Sequence, residues 1–192
     1  MKKVASTGLF LAAFLFGIVS CNQEQGAVEE AQQTNEQMAE GTEMEDQMTE
    51  QSDFMTRAAS SGMLEVEAGK LAQQKAQNAE VKKYGEMMVT EHTAANKELM
   101  ALAQQKNVVV PDSMSQNHMD QMQSLRDKTG ADFDKEYMDL MVTSHEEAVT
   151  LFEDASNNIQ DTEVKNFAST TLPKLRQHHE RAQQLKDVID KQ

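Results

Sequence analysis

The chain has 192 residues, of which 18 are basic and 32 acidic, and its formal net charge is -14 at neutral pH. A surface of that charge repels phosphate, so the composition argues against nucleic acids as partners. With a single cysteine, the chain cannot form an intramolecular disulfide. Fourteen methionines, two prolines and no tryptophan favour helix, because unbranched side chains lose little rotamer freedom in a helix.

The first twenty residues have the pattern of a secretory signal. A basic start precedes an apolar run over residues 9–19, which is shorter than the roughly 20 residues that a membrane span needs. Ser20 and the lone Cys21 complete a sequence that resembles the lipobox of bacterial lipoproteins. That resemblance implies a signal peptide over residues 1–20, lipidation of Cys21 and an anchor in the cell envelope. The alternative is an ordinary secreted protein with a stray cysteine.

Residues 22–52 predict a flexible, acidic tether. They contain nine acidic residues and no basic residue, with few aliphatic and no aromatic side chains. Such a segment buries too little apolar surface to offset the entropy of ordering it. We therefore expect residues 21–52 to be the lipidated cysteine and a disordered tether, and residues 53–192 to be the folded domain. The resemblance to bacterial lipoproteins also implies the outer membrane, facing the periplasm, because the residue after the cysteine is Asn22 and not aspartate.

From Asp53 onwards, apolar residues recur with the period of an α-helix. Ser113 and Gln116 fit a capping box at the start of a short helix in a long link between two hairpins. This arrangement predicts an all-α, ferritin-like four-helix bundle with a short extra helix in the crossover. The predicted helices span residues 53–77, 79–106, 113–128, 132–156 and 161–190.

An internal repeat supports two related hairpins. Residues 78–84 (NAEVKKY) are similar to residues 161–167 (DTEVKNF), and each segment comes where the second helix of a hairpin is predicted to begin.

Four polar side chains interrupt the apolar stripes of the long helices. Each lies near the middle of a different helix, so a bundle brings them to a similar level. Burial without partners is costly for such groups. Either a transition metal (Fe, Zn, Mn or Cu) binds them or they form a metal-free hydrogen-bond network. The candidate metal ligands are Glu65, His92, His145 and His178.

Two methionines bear on the identity of a metal. Met88 and Met141 each precede a candidate histidine by four residues and share its helix face. A thioether beside an imidazole favours copper, whereas a methionine on an apolar stripe is also an ordinary core residue. The glutamates beside the histidines, Glu91 and Glu146, lie at the helix flanks and are expected to be solvated or paired with lysine.

Enzymatic chemistry has little support in the sequence. The Glu-x-x-His motif of ferritin-type di-iron sites is absent, and so are a glycine-rich phosphate loop and a nucleophile elbow. We therefore predict no catalytic residue. A redox enzyme with a di-metal site is a third hypothesis, ranked below the binding and structural ones.

Several short motifs of the folded part resemble the family DUF4142, a domain of unknown function. The resemblance runs from Phe54 to about Ile189 and implies a ferritin-like bundle, often labelled a predicted outer membrane protein, without implying an activity. The segments that carry it are residues 64–67 (LEVE), 88–92 (MVTEH), 133–137 (FDKEY), 141–146 (MVTSHE) and 172–178 (LPKLRQH).

Two functions are consistent with these patterns. The first is an envelope lipoprotein that holds a transition metal in the bundle core, for metal buffering or stress protection. The second is a structural or interaction lipoprotein whose metal-free His–Glu network fixes the helix register. In both cases the expected partner is the membrane, reached through the lipid at Cys21; the sequence indicates no particular protein partner.

Overall fold

A computed structural model describes residues 26–191, so the predicted signal peptide and Cys21 lie outside the described residues. The described chain is helical and contains no strand, which confirms the predicted all-α fold. None of the described helices is long and apolar enough to cross a membrane. The helices are α1 (Ala27–Ala39), α2 (Glu45–Lys75), α3 (Ala79–Lys106), α4 (Gln116–Asp127), α5 (Gly130–Asn158) and α6 (Thr162–Ile189).

The four long helices form two hairpins, α2–α3 and α5–α6, that pack side by side. The backbone N–H groups of Gln77 and Asn78 donate to the carboxylate of Asp134 at 3.0 and 2.8 Å, so α5 begins at the end of the bundle where α2 ends. Lys106 pairs with Asp161 at 2.6 Å, so α6 begins where α3 ends. The link that contains α4 therefore carries the chain back along the bundle, which is the predicted one-crossover connection.

Local capping chemistry determines where the second helix of each hairpin begins. The side chains of Asn78 and Asp161 each accept hydrogen bonds from two backbone N–H groups of the first turn that follows. The two residues occupy matching positions in the internal repeat, so the repeat marks two equivalent helix starts.

The capping box predicted at Ser113 and Gln116 is wrong. Ser115 caps α4 instead, with its hydroxyl accepting from the N–H of His118 at 3.3 Å. The backbone N–H of Ser115 also donates to the hydroxyl of Ser60 in α2 at 2.9 Å. This tertiary contact, which local sequence does not reveal, holds the start of α4.

The expectation of a disordered tether over residues 21–52 is wrong for most of its described part. Helix α1 covers half of it, and α2 begins at Glu45 rather than at residue 53. Helix α1 packs against α2 and buries small side chains at helical spacing, among them Val28 and Ala31. Asn35 donates to the carbonyl of Val109 and accepts from its N–H, both at 2.8 Å. A short apolar stripe suffices here because the bundle supplies the partner surface.

The core of the bundle consists of two apolar clusters. One lies toward the α2–α3 turn and includes Tyr84, Phe133 and Tyr137. The other lies toward the opposite end and includes Phe54 and Phe152. In α3, α5 and α6, the chain crosses from one cluster to the other at a buried histidine, so a polar layer interrupts the core near the middle of the bundle.

Candidate metal centre

Three buried histidines meet in this polar layer. His92 comes from α3, His145 from α5 and His178 from α6, and their ring centroids are 5.3 to 5.4 Å apart in every pair. One ring nitrogen of each lies within 4.8 Å of one ring nitrogen of the other two. This convergence of side chains from three helices has the shape of a metal site rather than of three separate core residues.

One nitrogen of each ring lacks a hydrogen-bond partner. These atoms are Nε2 of His92, Nε2 of His145 and Nδ1 of His178, and all are buried. A buried polar atom left without a partner costs about 1–3 kcal/mol. Three such atoms in one cluster indicate a common missing partner, and imidazole nitrogens are preferred ligands of transition metals. The residues present therefore fit a transition-metal ion.

Neighbouring acceptors orient two of the rings. Nδ1 of His145 lies 2.8 Å from the carbonyl oxygen of Met141, and Nε2 of His178 lies 3.1 Å from Oε2 of Glu91. A ring nitrogen that faces an acceptor carries the proton, so the other nitrogen presents its lone pair. In both rings the lone-pair nitrogen is the one that lacks a partner, as metal coordination requires.

The structure places Glu65 outside the three-histidine cluster. Its Oε1 accepts a hydrogen bond from the hydroxyl of Ser144 at 2.5 Å and lies 3.5 Å from Nδ1 of His145. That nitrogen is on the side of the ring away from the unpaired Nε2. Of the four predicted ligands, the fold thus brings three together, while Glu65 supports one of them from behind. The reason is that Glu65 packs against α5 and meets the far edge of the His145 ring.

Burial controls the charge of these groups. It raises the pKa of Glu65, and the nearby His145 and Ser144 offset only part of that effect. It lowers the pKa of His92 well below its ordinary value. Burial and His145 also lower the pKa of His178 to about 4, against the opposing effect of Glu91. His92 and His178 are therefore neutral near pH 7, which is the form that coordinates a metal.

Comparison with known proteins identifies the family. The model of the family described as "Domain of unknown function (DUF4142)" matches residues 29–185. The chain belongs to DUF4142. The match begins within α1, so this helix is part of the DUF4142 domain and not of a preceding tether. No curated protein matches the sequence.

A solved structure resembles the DUF4142 domain in fold. It is described as "CopM in the Cu(II)-bound form" and aligns with a TM-score of 0.62 over 71% of this chain and 95% of the other. The two sequences are 20% identical, so the similarity shows a shared fold.

Glu91 has a second partner that the sequence did not reveal. Of the two expected environments, solvation or pairing with a lysine, Glu91 has the second, because its Oε2 lies 3.2 Å from Nζ of Lys174. The same oxygen also contacts His178, as described above. In the sequence Glu91 is only the neighbour of a stripe residue in α3, and the packing of α3 against α6 is what brings it to a histidine of another helix. The hydrogen bond that Ser144 donates to Glu65 could not be predicted from the sequence for the same reason, since it joins two helices.

A small cavity adjoins the histidines of the DUF4142 domain. It has a volume of about 30 Å³ and is lined by His92 and His178, by Glu91 and Lys174, and by apolar side chains that include Phe152. Such a volume accommodates about one water molecule. The cluster therefore has room on one side for a small additional ligand, as open metal sites do.

Proposed function

We propose that this DUF4142 domain binds a transition-metal ion through His92, His145 and His178, and that it serves metal buffering or stress protection in the cell envelope. The observation that carries the proposal is the convergence of three buried histidines, each of which has a buried ring nitrogen without a hydrogen-bond partner. Support also comes from the contacts that orient His145 and His178 with their lone pairs free. Glu65 acts behind His145 and is not a ligand in this proposal.

We infer that Cu(II) is the divalent ion bound most tightly. A set of neutral imidazoles suits copper, zinc and iron, and among divalent first-row ions the general order of affinity has its maximum at Cu(II). The similar fold described as Cu(II)-bound supports the choice. Met88 and Met141 do not enter the argument, because both are fully buried members of an apolar cluster.

Elemental analysis of chain purified without chelator tests the proposal. After exposure to Cu(II) and removal of unbound ion, we expect about one equivalent per chain, and almost none in the double variant His92→Ala, His145→Ala. His179→Ala is the matched control, because this half-buried histidine lies next to His178 and has no place in the cluster. Equal copper content in the double variant and in the control would refute the assignment of the site.

A second candidate function is a structural lipoprotein with a metal-free network. The buried contacts of Glu65 with Ser144 and His145 favour it. This function predicts that added metal does not change the melting temperature and that Glu65→Ala lowers it. Metal binding instead predicts stabilisation of about 2.7 kcal/mol when the free ion is at a hundred times its dissociation constant. Thermal unfolding with and without Cu(II), Zn(II), Mn(II) or Fe(II) separates the two.

We also propose that the chain is anchored in the outer membrane through lipid on Cys21. The apolar run, Ser20 and the lone cysteine of the sequence support this. Fractionation of a bacterial host that expresses the whole chain is the test. We expect the wild type in the membrane fraction and Cys21→Ala in the soluble envelope fraction. Identical partitioning of the two would exclude the lipid anchor.

A further inference from the structure

We propose that Glu91 and Lys174 form an ion-pair gate that controls the access of metal ions to the three histidines. Glu91 captures the incoming cation, and the ammonium group of Lys174 competes for the same carboxylate in the metal-free protein. This inference rests on the proposed function, since it concerns how the same centre is filled.

Charged side chains connect the histidine cluster to solvent on the side of Glu91 and Lys174. His145 is fully buried, and Glu65 and Ser144 behind it are buried as well. The two apolar clusters cover the polar layer toward both ends of the bundle. Glu91, hydrogen-bonded to His178, has a side chain that is 30% exposed. A cation that approaches the histidines along charged groups therefore passes Glu91.

The small cavity beside the histidines lies on the same side of the cluster as Glu91. Glu91 and Lys174 line it together with His92 and His178, and the remaining lining is largely apolar. The other polar side chains of the lining are Ser61, Asn96 and Thr171, which are uncharged and neutralise none of the charge of a cation that is losing its water shell. The carboxylate of Glu91 is the anionic group of this lining and provides an oxygen ligand before the ion reaches the histidines.

Lys174 opposes the binding of an incoming cation by Glu91. Its Nζ lies 3.2 Å from Oε2 of Glu91, the same oxygen that lies 3.1 Å from Nε2 of His178. An approaching divalent cation is repelled by the ammonium group and must displace it from the carboxylate. The Lys174 side chain is 53% exposed, and exposed ion pairs are weak, so the lysine can be displaced into solvent.

The rate of Cu(II) uptake tests the gate. Both tyrosines lie close to the site, with the Tyr84 ring centroid 6.4 Å from that of His145 and 6.3 Å from that of Tyr137, so quenching of tyrosine fluorescence after rapid mixing reports arrival of the ion. Lys174→Met is expected to raise the association rate constant about fivefold, and Glu91→Gln to lower it about tenfold. Glutamine retains a hydrogen-bond acceptor for His178 and removes only the charge.

The chain supplies a matched control. Arg181 and Glu80 form another exposed ion pair between α6 and α3, at 3.0 Å, outside the lining of the cavity. Arg181→Met and Glu80→Gln make the same charge changes and are expected to leave the association rate constant within about twofold of the wild type.

Three results would overturn the gate. The first is that the Lys174 and Glu91 variants match their controls while the wild type still takes up one equivalent of Cu(II), which leaves the proposed function intact. The second is that Glu91→Gln changes only the dissociation rate constant, which would make Glu91 a positioning residue for His178. The third is that the wild type takes up no metal, which elemental analysis detects and which removes the proposed function as well.

Discussion

Among single residues, Ser144 supports the candidate centre indirectly, through Glu65. Its hydroxyl donates to the buried carboxylate of Glu65, which lies against His145. Ser144 comes one residue before His145 in α5, and its position in the sequence gives no sign of this role. The pairing depends on the packing of α2 against α5.

We expect Ser144→Ala to lower the free energy of unfolding by about 1–3 kcal/mol, because a buried carboxylate oxygen loses its donor. Urea denaturation at neutral pH measures the change. Ser156→Ala is the control, since that hydroxyl donates only to the carbonyl of Glu153 in its own helix; its expected loss is about 0.5 kcal/mol or less. Equal losses in the two variants would show that the Glu65 contact contributes no stability.

At the scale of helices, Asp161 stabilises the start of α6 by two kinds of contact. Its carboxylate accepts from two backbone N–H groups at 3.0 and 3.1 Å and pairs with Lys106 at 2.6 Å. Burial acts to raise the pKa of Asp161, but Lys106 and the two N–H groups outweigh it, so the pKa lies below its ordinary value of 3.8. A lowered pKa stabilises the fold above the unfolded-state value, and this contribution is lost as the pH falls through the folded-state value.

We therefore expect Asp161→Asn to lower the free energy of unfolding by about 1 kcal/mol near pH 7, because asparagine keeps the cap and loses the charge. The expected loss is modest because the aspartate side chain is 28% exposed. The difference between wild type and variant should shrink as the pH falls from about 5 to about 2. Urea denaturation across that range is the measurement, and a difference that does not depend on pH would contradict the assignment.

Helices α2 and α3 are in close backbone contact where Gly69 and Gly85 face each other. A Cβ atom on Gly69 would lie 2.7 Å from the carbonyl oxygen of Gly85, and a Cβ atom on Gly85 would lie 2.9 Å from the Cβ of Ala72. Any side chain at either position would push the two helices apart. The close approach therefore depends on glycine in both helices.

Gly69→Ala is expected to lower the free energy of unfolding by about 1–3 kcal/mol through overpacking. Gly62→Ala serves as the comparison, because the Cβ there would meet only the side chain of Asn96, which can rotate away. The alanine also gains about 1 kcal/mol of helix propensity. Denaturation of both variants tests the argument; a larger loss for Gly62→Ala would mean that the backbones are not in close contact at Gly69.

At the scale of the whole molecule, α1 lies at the periphery and the three histidines come from other helices. Removal of residues 1–40 exposes the surface that Val28, Ala31 and Ala39 cover, and is expected to lower the free energy of unfolding by about 2–3 kcal/mol. The affinity for Cu(II), measured by competition with a chelator, is expected to change less than about threefold, because α1 contributes no ligand. Loss of binding in a folded truncated chain would place α1 in the site.

Much of the fold could be predicted from the sequence. The bounds predicted for α3 agree with the structure, and the hairpins and the crossover agree as well, because stripes, caps and turns are local patterns. Helix α1 was missed because its composition is that of a soluble tether, and it is ordered against a surface that exists only once α2 has folded. The composition of residues 22–52 gives no information about this surface, because the surface belongs to another helix.

The sequence alone determined that long helices would form and that His92, His145 and His178 would each interrupt an apolar face, since the period of 3.6 residues assigns faces within one helix. Tertiary structure decided which polar groups meet. The rotation and height of each helix are set by side chains that interlock across helices, and a shift of a few ångströms separates a ligand from its neighbour. For that physical reason the three imidazoles form one cluster, while Glu65 lies behind His145 and Glu91 contacts His178 from the flank.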